Sequence, residues 1–258
     1  MDKIIFFDFD DTLYSHKLGC IPESTIEAIR KLDENGIITY LCTGRSIFEL
    51  EQFDLDAIPF TGMIASNGQS AYNRKKEIVY ENPFDDALKE RILKMFNERK
   101  IALYLLSDHN VFINFYDDFI VDLQNSVKSP MPELKEYEGE KIYLASCFYH
   151  DEKEKEVIKE LSDVGEITFW WVGGGCDVVK KGSSKASGIK AILDYHHISP
   201  DDAICFGDGE NDIDMLKYCG LGIAMGNADD AVKKAADYVA DDIVDDGISK
   251  ALKHFGFI

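Results

Sequence analysis

The sequence is poor in positive charge. Its 258 residues include 28 Lys and Arg against 48 Asp and Glu, which gives a formal net charge of −20 at pH 7. A surface this acidic repels nucleic-acid backbones and anionic lipids, so we expect neither a nucleic-acid partner nor binding to a membrane surface. An anionic substrate would therefore need a local cation, either a metal ion or a suitably placed Lys or Arg.

Long hydrophobic runs and paired cysteines are also missing. The longest apolar run covers residues 101–106, whereas about 20 apolar residues are needed to cross a bilayer. The N-terminal run ends at Asp8, too early for a signal peptide. None of the six cysteines forms a C-x-x-C pair, which favours small buried side chains over a zinc or disulfide framework. We therefore expect a cytoplasmic protein.

Two familiar loops for phosphate and cations are absent as well. The chain has no G-x-x-x-x-G-K-[ST] phosphate loop. The acidic stretch 207–212 lacks the terminal Glu of an EF-hand, because Cys219 stands at that position. Any phosphate or metal chemistry must therefore use another arrangement.

The chain does contain alternating buried strands and amphipathic helices near both ends. Apolar runs such as 3–9 and 37–42 are typical of strands buried on both faces of a parallel sheet. The middle combines helices with aromatic and β-branched strands, which indicates an antiparallel α+β module. We predict an α/β protein with a Rossmann-like, doubly wound parallel-sheet core domain (1–82 and 182–258) and an inserted α+β cap domain (83–181).

Two carboxylates follow the first predicted strand, where ligands bind in open α/β sheets. Asp8 could attack phosphorus to form an aspartyl-phosphate, and Asp10 could protonate the leaving oxygen and later activate water. A solvated acidic turn that caps a helix is the alternative interpretation of this fragment.

Two further clusters follow predicted strands. Thr43, Gly44 and Arg45 would supply a hydroxyl and backbone N–H groups to phosphate oxygens, although for this fragment alone an ordinary strand-to-helix turn with a Ser or Thr cap is the better explanation. Asp208 and Asp212 lie on a glycine-bracketed loop whose carboxylates suit Mg²⁺.

Charge repulsion sets a condition on any shared site. If Asp8, Asp10 and Asp208 met at a phosphate, each like-charged pair at ~4 Å would cost roughly 4 kcal/mol at an effective dielectric constant of about 20. Such a site needs a divalent cation and at least one cationic side chain. The lysine-bearing segment 180–185 is a candidate source of that side chain, against the alternative of solvated surface lysines.

Four segments follow one another along the chain: DFDDTL (8–13), LCTGR around Thr43, KGSSKASGI around Lys185 and GDGENDIDM (207–215). In this order, with about 100 residues inserted between the second and the third, they resemble the four motifs of the haloacid dehalogenase (HAD) superfamily of phosphohydrolases. The branch they resemble is the Cof type, which carries a class IIB cap.

The resemblance implies roles for the matched positions. Asp8 would be the nucleophile and a Mg²⁺ ligand, and Asp10 would be the general acid and base and a ligand through its backbone carbonyl. Asp208 would bind the metal directly, and Asp212 would support its water shell or hold Lys185. The residues implied on the phosphoryl or substrate side are Thr43, Gly44, Lys185, Asn211 and, less strongly, Arg45 and Asn67.

The implied function is Mg²⁺-dependent hydrolysis of small phosphate monoesters such as sugar phosphates, nucleotides or a phosphorylated vitamin. The insert would act as a lid, and Phe169, Trp170 and Trp171 would line a substrate pocket unless they belong to its core. A phosphotransferase or phosphomutase that uses the same aspartyl-phosphate, and a non-catalytic phosphoacceptor module, are the alternatives. The sequence indicates neither the substrate nor the oligomeric state.

Two positions depart from the family pattern. Asp11 stands where many relatives have Gly, and Ala186 stands where Cof-type members usually have Gly. We expect neither change to abolish activity, although a third carboxylate at position 11 would either face solvent or perturb the site.

Overall fold

The fold is taken from a computed structural model, which describes residues 3–107, 110–126, 130–132, 134–170 and 173–258. The strands in chain order are β1 (Ile4–Phe7), β2 (Ile38–Cys42), β3 (Gly62–Ala65), β4 (Ser70–Asn73), β5 (Ile78–Glu81), β6 (Ala102–Leu106), β7 (Val111–Ile113), β8 (Leu144–Phe148), β9 (Gly165–Phe169), β10 (Gly175–Lys180), β11 (Ala203–Gly207), β12 (Leu221–Ala224) and β13 (Tyr238–Val239). The helices are α1 (Glu23–Glu34), α2 (Ile47–Leu50), α3 (Asp86–Glu98), α4 (Asp118–Ser126), α5 (Glu152–Lys159), α6 (Lys185–His196), α7 (Ile213–Tyr218), α8 (Asp230–Ala235) and α9 (Gly247–His254).

The chain divides into two compact units. The first consists of Met1–Gly44, Leu55–Glu81 and Ser184–Ile258, and the second of Arg45–Asp54 and Asn82–Ser183. The boundaries near 82 and 182 lie close to those expected from sequence. The segment 45–54, which the sequence-based division gave to the outer domain, groups instead with the inserted unit.

The first unit is built on an eight-stranded sheet in the order β13-β12-β11-β1-β2-β3-β4-β5. The strands from β13 to β3 are parallel, and β4 and β5 add an antiparallel edge. The strand β1 lies between β2 and β11, with Phe7 opposite both Leu41 and Phe206. Its four apolar residues are all buried, as the continuous apolar run predicts for a sheet covered on both faces. The Rossmann-like α/β core is confirmed.

This register fixes where the polar clusters emerge. Because β1, β2 and β11 are parallel and in register, their carboxyl ends lie at one edge of the sheet. Asp8, Thr43 and Asp208 each follow one of these three strands directly. The sheet therefore brings chain segments about 200 residues apart in sequence to a common edge.

The second unit is an antiparallel sheet in the order β7-β6-β8-β10-β9. One face is packed against α3 and α5 through alternate strand residues such as Leu103, Cys147 and Val178. The other face carries Tyr104 and Phe148, and Phe48 of α2 packs against the same cluster. That contact explains why 45–54 groups with this unit.

Two remaining expectations concern membranes and cysteines. Every helix in the described part of the chain is too short or too polar to span a bilayer. All six cysteines are free, and each is buried except Cys20, which is exposed. The expected absence of disulfides thus agrees with the structure, whereas burial holds for five positions.

Candidate active site

A buried ion cluster lies at the carboxyl ends of β1 and β11. The Lys185 ammonium donates to Oδ1 of Asp212 at 2.6 Å and also to Oδ1 of Asp8. Asp8 and Asp212 are buried, and only 1% of Lys185 is exposed. The three side chains come from the residue after β1, the start of α6 and the loop after β11, so the fold joins three of the four motif segments here.

The loop after β11 is held by the Asp212 side chain. Its Oδ2 accepts hydrogen bonds from the backbone N–H groups of Asp208 and Gly209, both at 3.0 Å. Asp208 is oriented by the hydroxyl of Thr12, which donates to its Oδ1 at 2.8 Å. Asp212 therefore has two structural tasks, to hold the loop and to hold Lys185.

Three carboxylates of this cluster could share a metal ion. One oxygen each from Asp8, Asp208 and Asp212 lies within 4.8 Å of the other two. Hard carboxylate oxygens are the ligands that Mg²⁺ takes from proteins. The donor set therefore fits Mg²⁺, while the side chain of Asp10, a fourth predicted ligand residue, is not in this group of three.

The electrostatics of the cluster also favour a cation. Burial, together with the neighbouring carboxylate of Asp212, raises the pKa of Asp8 to about 7. Burial and the charge of Asp8 raise the pKa of Asp208 to about 9. Burial alone would lower the pKa of Lys185, but the carboxylates of Asp212 and Asp8 outweigh it and raise that pKa above its usual value. Lys185 is therefore charged at neutral pH, and the raised pKa values of Asp8 and Asp208 indicate that its single charge does not compensate all three carboxylates.

The second motif lies beside a tight turn at residues 66–68. The Thr43 carbonyl accepts from the Asn67 backbone N–H at 3.1 Å, and Asn211 donates through Nδ2 to Asn67 Oδ1 at 3.2 Å. A Cβ on Gly44 would lie 3.1 Å from that same Asn67 oxygen, so the glycine allows a close approach. The structure thus groups Thr43, Gly44, Asn67 and Asn211.

The same turn positions the start of α6. Gly68 has φ +91°, and a Cβ there would lie 2.2 Å from the Ser184 carbonyl oxygen. Only glycine permits this approach without displacement of the helix. Since Ser184 is the N-cap residue of α6, the contact fixes the helix end that carries Lys185.

Several other predicted residues belong to the second unit. Arg45 belongs to the second unit, where its guanidinium carbon lies 5.3 Å from the centroid of the Phe53 ring. Phe169 and Trp170 pack against the two hydrophobic clusters of that unit, and Trp171 lies outside the described residues. Ala186 packs against the core of the first unit, which accounts for a methyl group at that position. The substrate roles of Arg45 and of the aromatic residues stay predictions.

The sequence does not predict a polar pair in the second unit, formed by the buried Ser146 and the half-buried Asp177. Asp177 of β10 accepts from the Ser146 hydroxyl of β8 at 2.8 Å. The pKa of Asp177 is raised to about 7, mainly by burial and to a smaller extent by the nearby charge of Glu49. The only sequence signal was an acid within a strand-like apolar stretch, and that stretch follows a run of glycines.

We expect Asp177→Asn to stabilise the protein at pH 8 and to do so clearly less at pH 5. The folded-state pKa lies above the unfolded value, so this carboxyl favours the fold at low pH and loses that contribution as the pH rises through about 7. After discounting for partial exposure, the gain at pH 8 is about 1–2 kcal/mol in the free energy of unfolding. Urea denaturation at both pH values measures it, with the exposed Asp122→Asn as a control. Equal gains at both pH values would contradict the cause assigned here.

Comparison with known proteins agrees with this geometry. The family model for haloacid dehalogenase-like hydrolases matches residues 5–252. The chain belongs to this family. It is 33% identical to YkrA of Bacillus subtilis (strain 168), which carries a provisional phosphatase name, over 99% of this chain and 98% of YkrA.

Two solved structures give the same answer for the fold. BT1666 of Bacteroides thetaiotaomicron, described among HAD phosphatases, superimposes with a TM-score of 0.87 at 31% identity and covers 100% of this chain and 96% of its own. The HAD subclass IIB sugar phosphatase BT4131 gives a TM-score of 0.84 at 31% identity, over 99% of this chain and 100% of its own. The resemblance to Cof-type HAD phosphohydrolases is confirmed.

Proposed function

We propose that this HAD protein is a Mg²⁺-dependent phosphatase that hydrolyses small phosphate monoesters through an aspartyl-phosphate on Asp8. The observation that carries the proposal is the convergence of Asp8, Asp208, Asp212 and Lys185 on one buried point. The family and the names of its phosphatase relatives support the reaction class. Because the family is one of hydrolases, the non-catalytic phosphoacceptor alternative gains no support.

The residues divide the work of phosphoryl transfer. One carboxylate oxygen of Asp8 attacks phosphorus, and the Lys185 ammonium balances charge on the phosphoryl oxygens. Asp10 gives its proton to the departing alcohol and then takes one from the water that cleaves the aspartyl-phosphate. Thr43, Gly44 and Asn211 are proposed to bind phosphoryl oxygens, by analogy with the family motifs.

Asp8, Asp208, Asp212 and the Asp10 backbone carbonyl are proposed to hold or support Mg²⁺. When bound, the ion would supply positive charge that lets the carboxylates and an anionic substrate occupy the same site. The named relatives support a small phosphorylated substrate, and the sugar phosphatase BT4131 makes sugar phosphates one candidate class beside pyridoxal phosphate. The insert as a lid stays a prediction.

The test is a panel of phosphate monoesters assayed with Mg²⁺ for the release of free phosphate. Sugar phosphates, nucleotides, pyridoxal phosphate and p-nitrophenyl phosphate cover the proposed class. Hydrolysis of at least one member that depends on Asp8 is expected. If no member releases phosphate although the protein is folded, the proposed activity is wrong.

We expect EDTA to abolish phosphate release and added Mg²⁺ to restore it. We also expect Mg²⁺ to raise the melting temperature more at pH 8 than at pH 6. The raised pKa values of Asp8 (about 7) and Asp208 (about 9) mean that protons occupy these groups at pH 6 and compete with the metal. Differential scanning fluorimetry with matched ionic strength measures the shift. A rate that resists EDTA, or a shift that does not grow with pH, would overturn this metal assignment.

A further inference from the structure

The turn that follows β1 is built around a non-glycine residue in the left-handed region. Asp11 has φ +54°. Its backbone N–H donates to the Tyr14 carbonyl at 2.7 Å, and its own carbonyl accepts from Asn227 Nδ2 at 2.8 Å. Aspartate is among the few residues whose short polar side chain makes this conformation tolerable. The contacts of the Asp11 side chain show what an aspartate contributes at this position.

The side chain of Asp11 contacts the backbone of His16, five residues further along the chain. Oδ1 of Asp11 accepts a hydrogen bond from the backbone N–H of His16 at 3.0 Å. The carboxylate is thus directed back along its own turn, outside the group of three carboxylates that could share a metal ion. Asp11 fixes the backbone at position 16.

The His16 ring points to the second aspartate of the motif. Its Nε2 lies 2.7 Å from Oδ1 of Asp10. The ring also meets the Tyr14 ring edge-on at 5.4 Å, and Tyr14 in turn stacks on Phe9 at 5.6 Å. The hydrogen bond to Asp11 therefore fixes the main chain at His16, the contact with Tyr14 supports the ring, and Nε2 of the ring reaches the Asp10 carboxyl.

We propose that His16, anchored by Asp11, is a positioning residue for the general acid and base Asp10. An imidazole N–H that donates to Oδ1 fixes the rotation of the carboxyl group that passes its proton to the leaving oxygen. This inference rests on the function proposed above. His16 would act by orienting the Asp10 carboxyl group, because a small displacement of a reacting group lowers the reaction rate by a large factor.

The experiment compares two substrates of nearly equal size, phenyl phosphate and p-nitrophenyl phosphate. Phenol is the poorer leaving group and needs protonation by Asp10, whereas p-nitrophenol leaves with little help. We expect His16→Phe to lower kcat/KM for phenyl phosphate by about 10-fold and for p-nitrophenyl phosphate by about 2-fold or less. His16→Gln, whose amide can still donate, should recover most of the loss.

Two further variants test the linkage. Asp11→Gly removes the acceptor for the His16 N–H and relieves the left-handed strain, so it should lose less than His16→Phe but show the same leaving-group dependence. In an Asp10→Asn background, His16→Phe should no longer change the ratio of the two rates, because coupled residues are non-additive. The exposed His254→Phe in the same unit is the matched control and should leave both rates unchanged.

The outcomes separate the possibilities. Equal losses of His16→Phe on both substrates would mean that His16 only supports the fold, and no loss on either would mean that it has no role; each result overturns the proposal. Phosphate release from neither substrate by the wild-type enzyme would instead count against the proposed function itself. Circular dichroism and melting temperature confirm that each variant is folded.

Discussion

Asp8→Asn is expected to lower turnover by about 10⁴-fold or more while the fold stays intact. The amide oxygen cannot form the aspartyl-phosphate, and no other carboxylate of the cluster can take its place in line with the leaving group. Asp212 is engaged with Lys185 and with two backbone N–H groups, and Asp208 is held by Thr12. The loss should therefore appear in kcat for every substrate in the panel.

The same substitution should not cost stability. The pKa of Asp8 is raised from 3.8 to about 7, so ionisation of this group works against the folded state as the pH rises through that range. Asparagine is neutral throughout, and the metal-free variant should melt no lower than the wild type at pH 8. An inactive but stable variant is the pattern expected where a site holds charge for catalysis at the expense of stability.

Phosphate release under saturating substrate and the melting temperature are the two measurements. The exposed Asp54→Asn is the matched control and should change neither. Activity within 10-fold of the wild type in Asp8→Asn would remove Asp8 as the nucleophile. A large fall in melting temperature would instead show that its carboxylate is needed for the Lys185 contact.

The strands that bear the site could be predicted because their sequence reports their environment directly. β1, β2 and β11 are buried on both faces and read as short continuous apolar runs that stop at polar residues. The alternation of strands and helices predicts a parallel sheet, and the carboxyl ends of parallel strands lie at one edge of the sheet. The positions of Asp8 and Asp208 could thus be expected, and the register of the sheet brings them together.

Other elements depend on partners that a local reading does not reveal. A local reading does not predict β10, because glycines precede it and Asp177 interrupts it, although pairing with both β8 and β9 makes it a central strand. Helix α9 is short and lies near the C-terminus, and its buried face consists of residues such as Ile248, Ala251 and Leu252. The grouping of residues 45–54 with the second unit does not follow from a local pattern, because the contact of Phe48 with a distant cluster is tertiary.

The site likewise contains residues that a local sequence pattern predicts and residues whose role depends on tertiary contacts. The carboxylates and Lys185 follow from motif positions, but the hydrogen bond between Asp10 and His16 depends on the turn conformation set by Asp11. No sequence pattern marks a histidine at that place as a partner of Asp10. The place of Asn67 in the site depends on its hydrogen bonds with Thr43 and Asn211, which a local sequence pattern does not reveal.

Lys185→Met is expected to impair both stability and turnover. Methionine fits the buried volume of the lysine stem but leaves Asp8 and Asp212 without their cation, and the loss of one partner from a buried ion pair costs about 3–5 kcal/mol. Without the ammonium, charge on the phosphoryl oxygens is also poorly balanced, and we expect kcat to fall by about 10²–10³-fold.

The pH dependence identifies the cause of the stability loss. The pKa of Asp8 already lies near 7, and removal of Lys185 raises it further, so protonation at pH 5 should relieve most of the repulsion that is present at pH 8. The destabilisation measured by urea denaturation should therefore shrink as the pH falls, and Mg²⁺ should restore part of it at pH 8. Lys190→Met, on the exposed face of the same helix and in an exposed pair with Asp194, is the matched control. Because it removes the same charge without burial, a similar loss in both variants would place the effect in helix α6 itself rather than in the buried cluster.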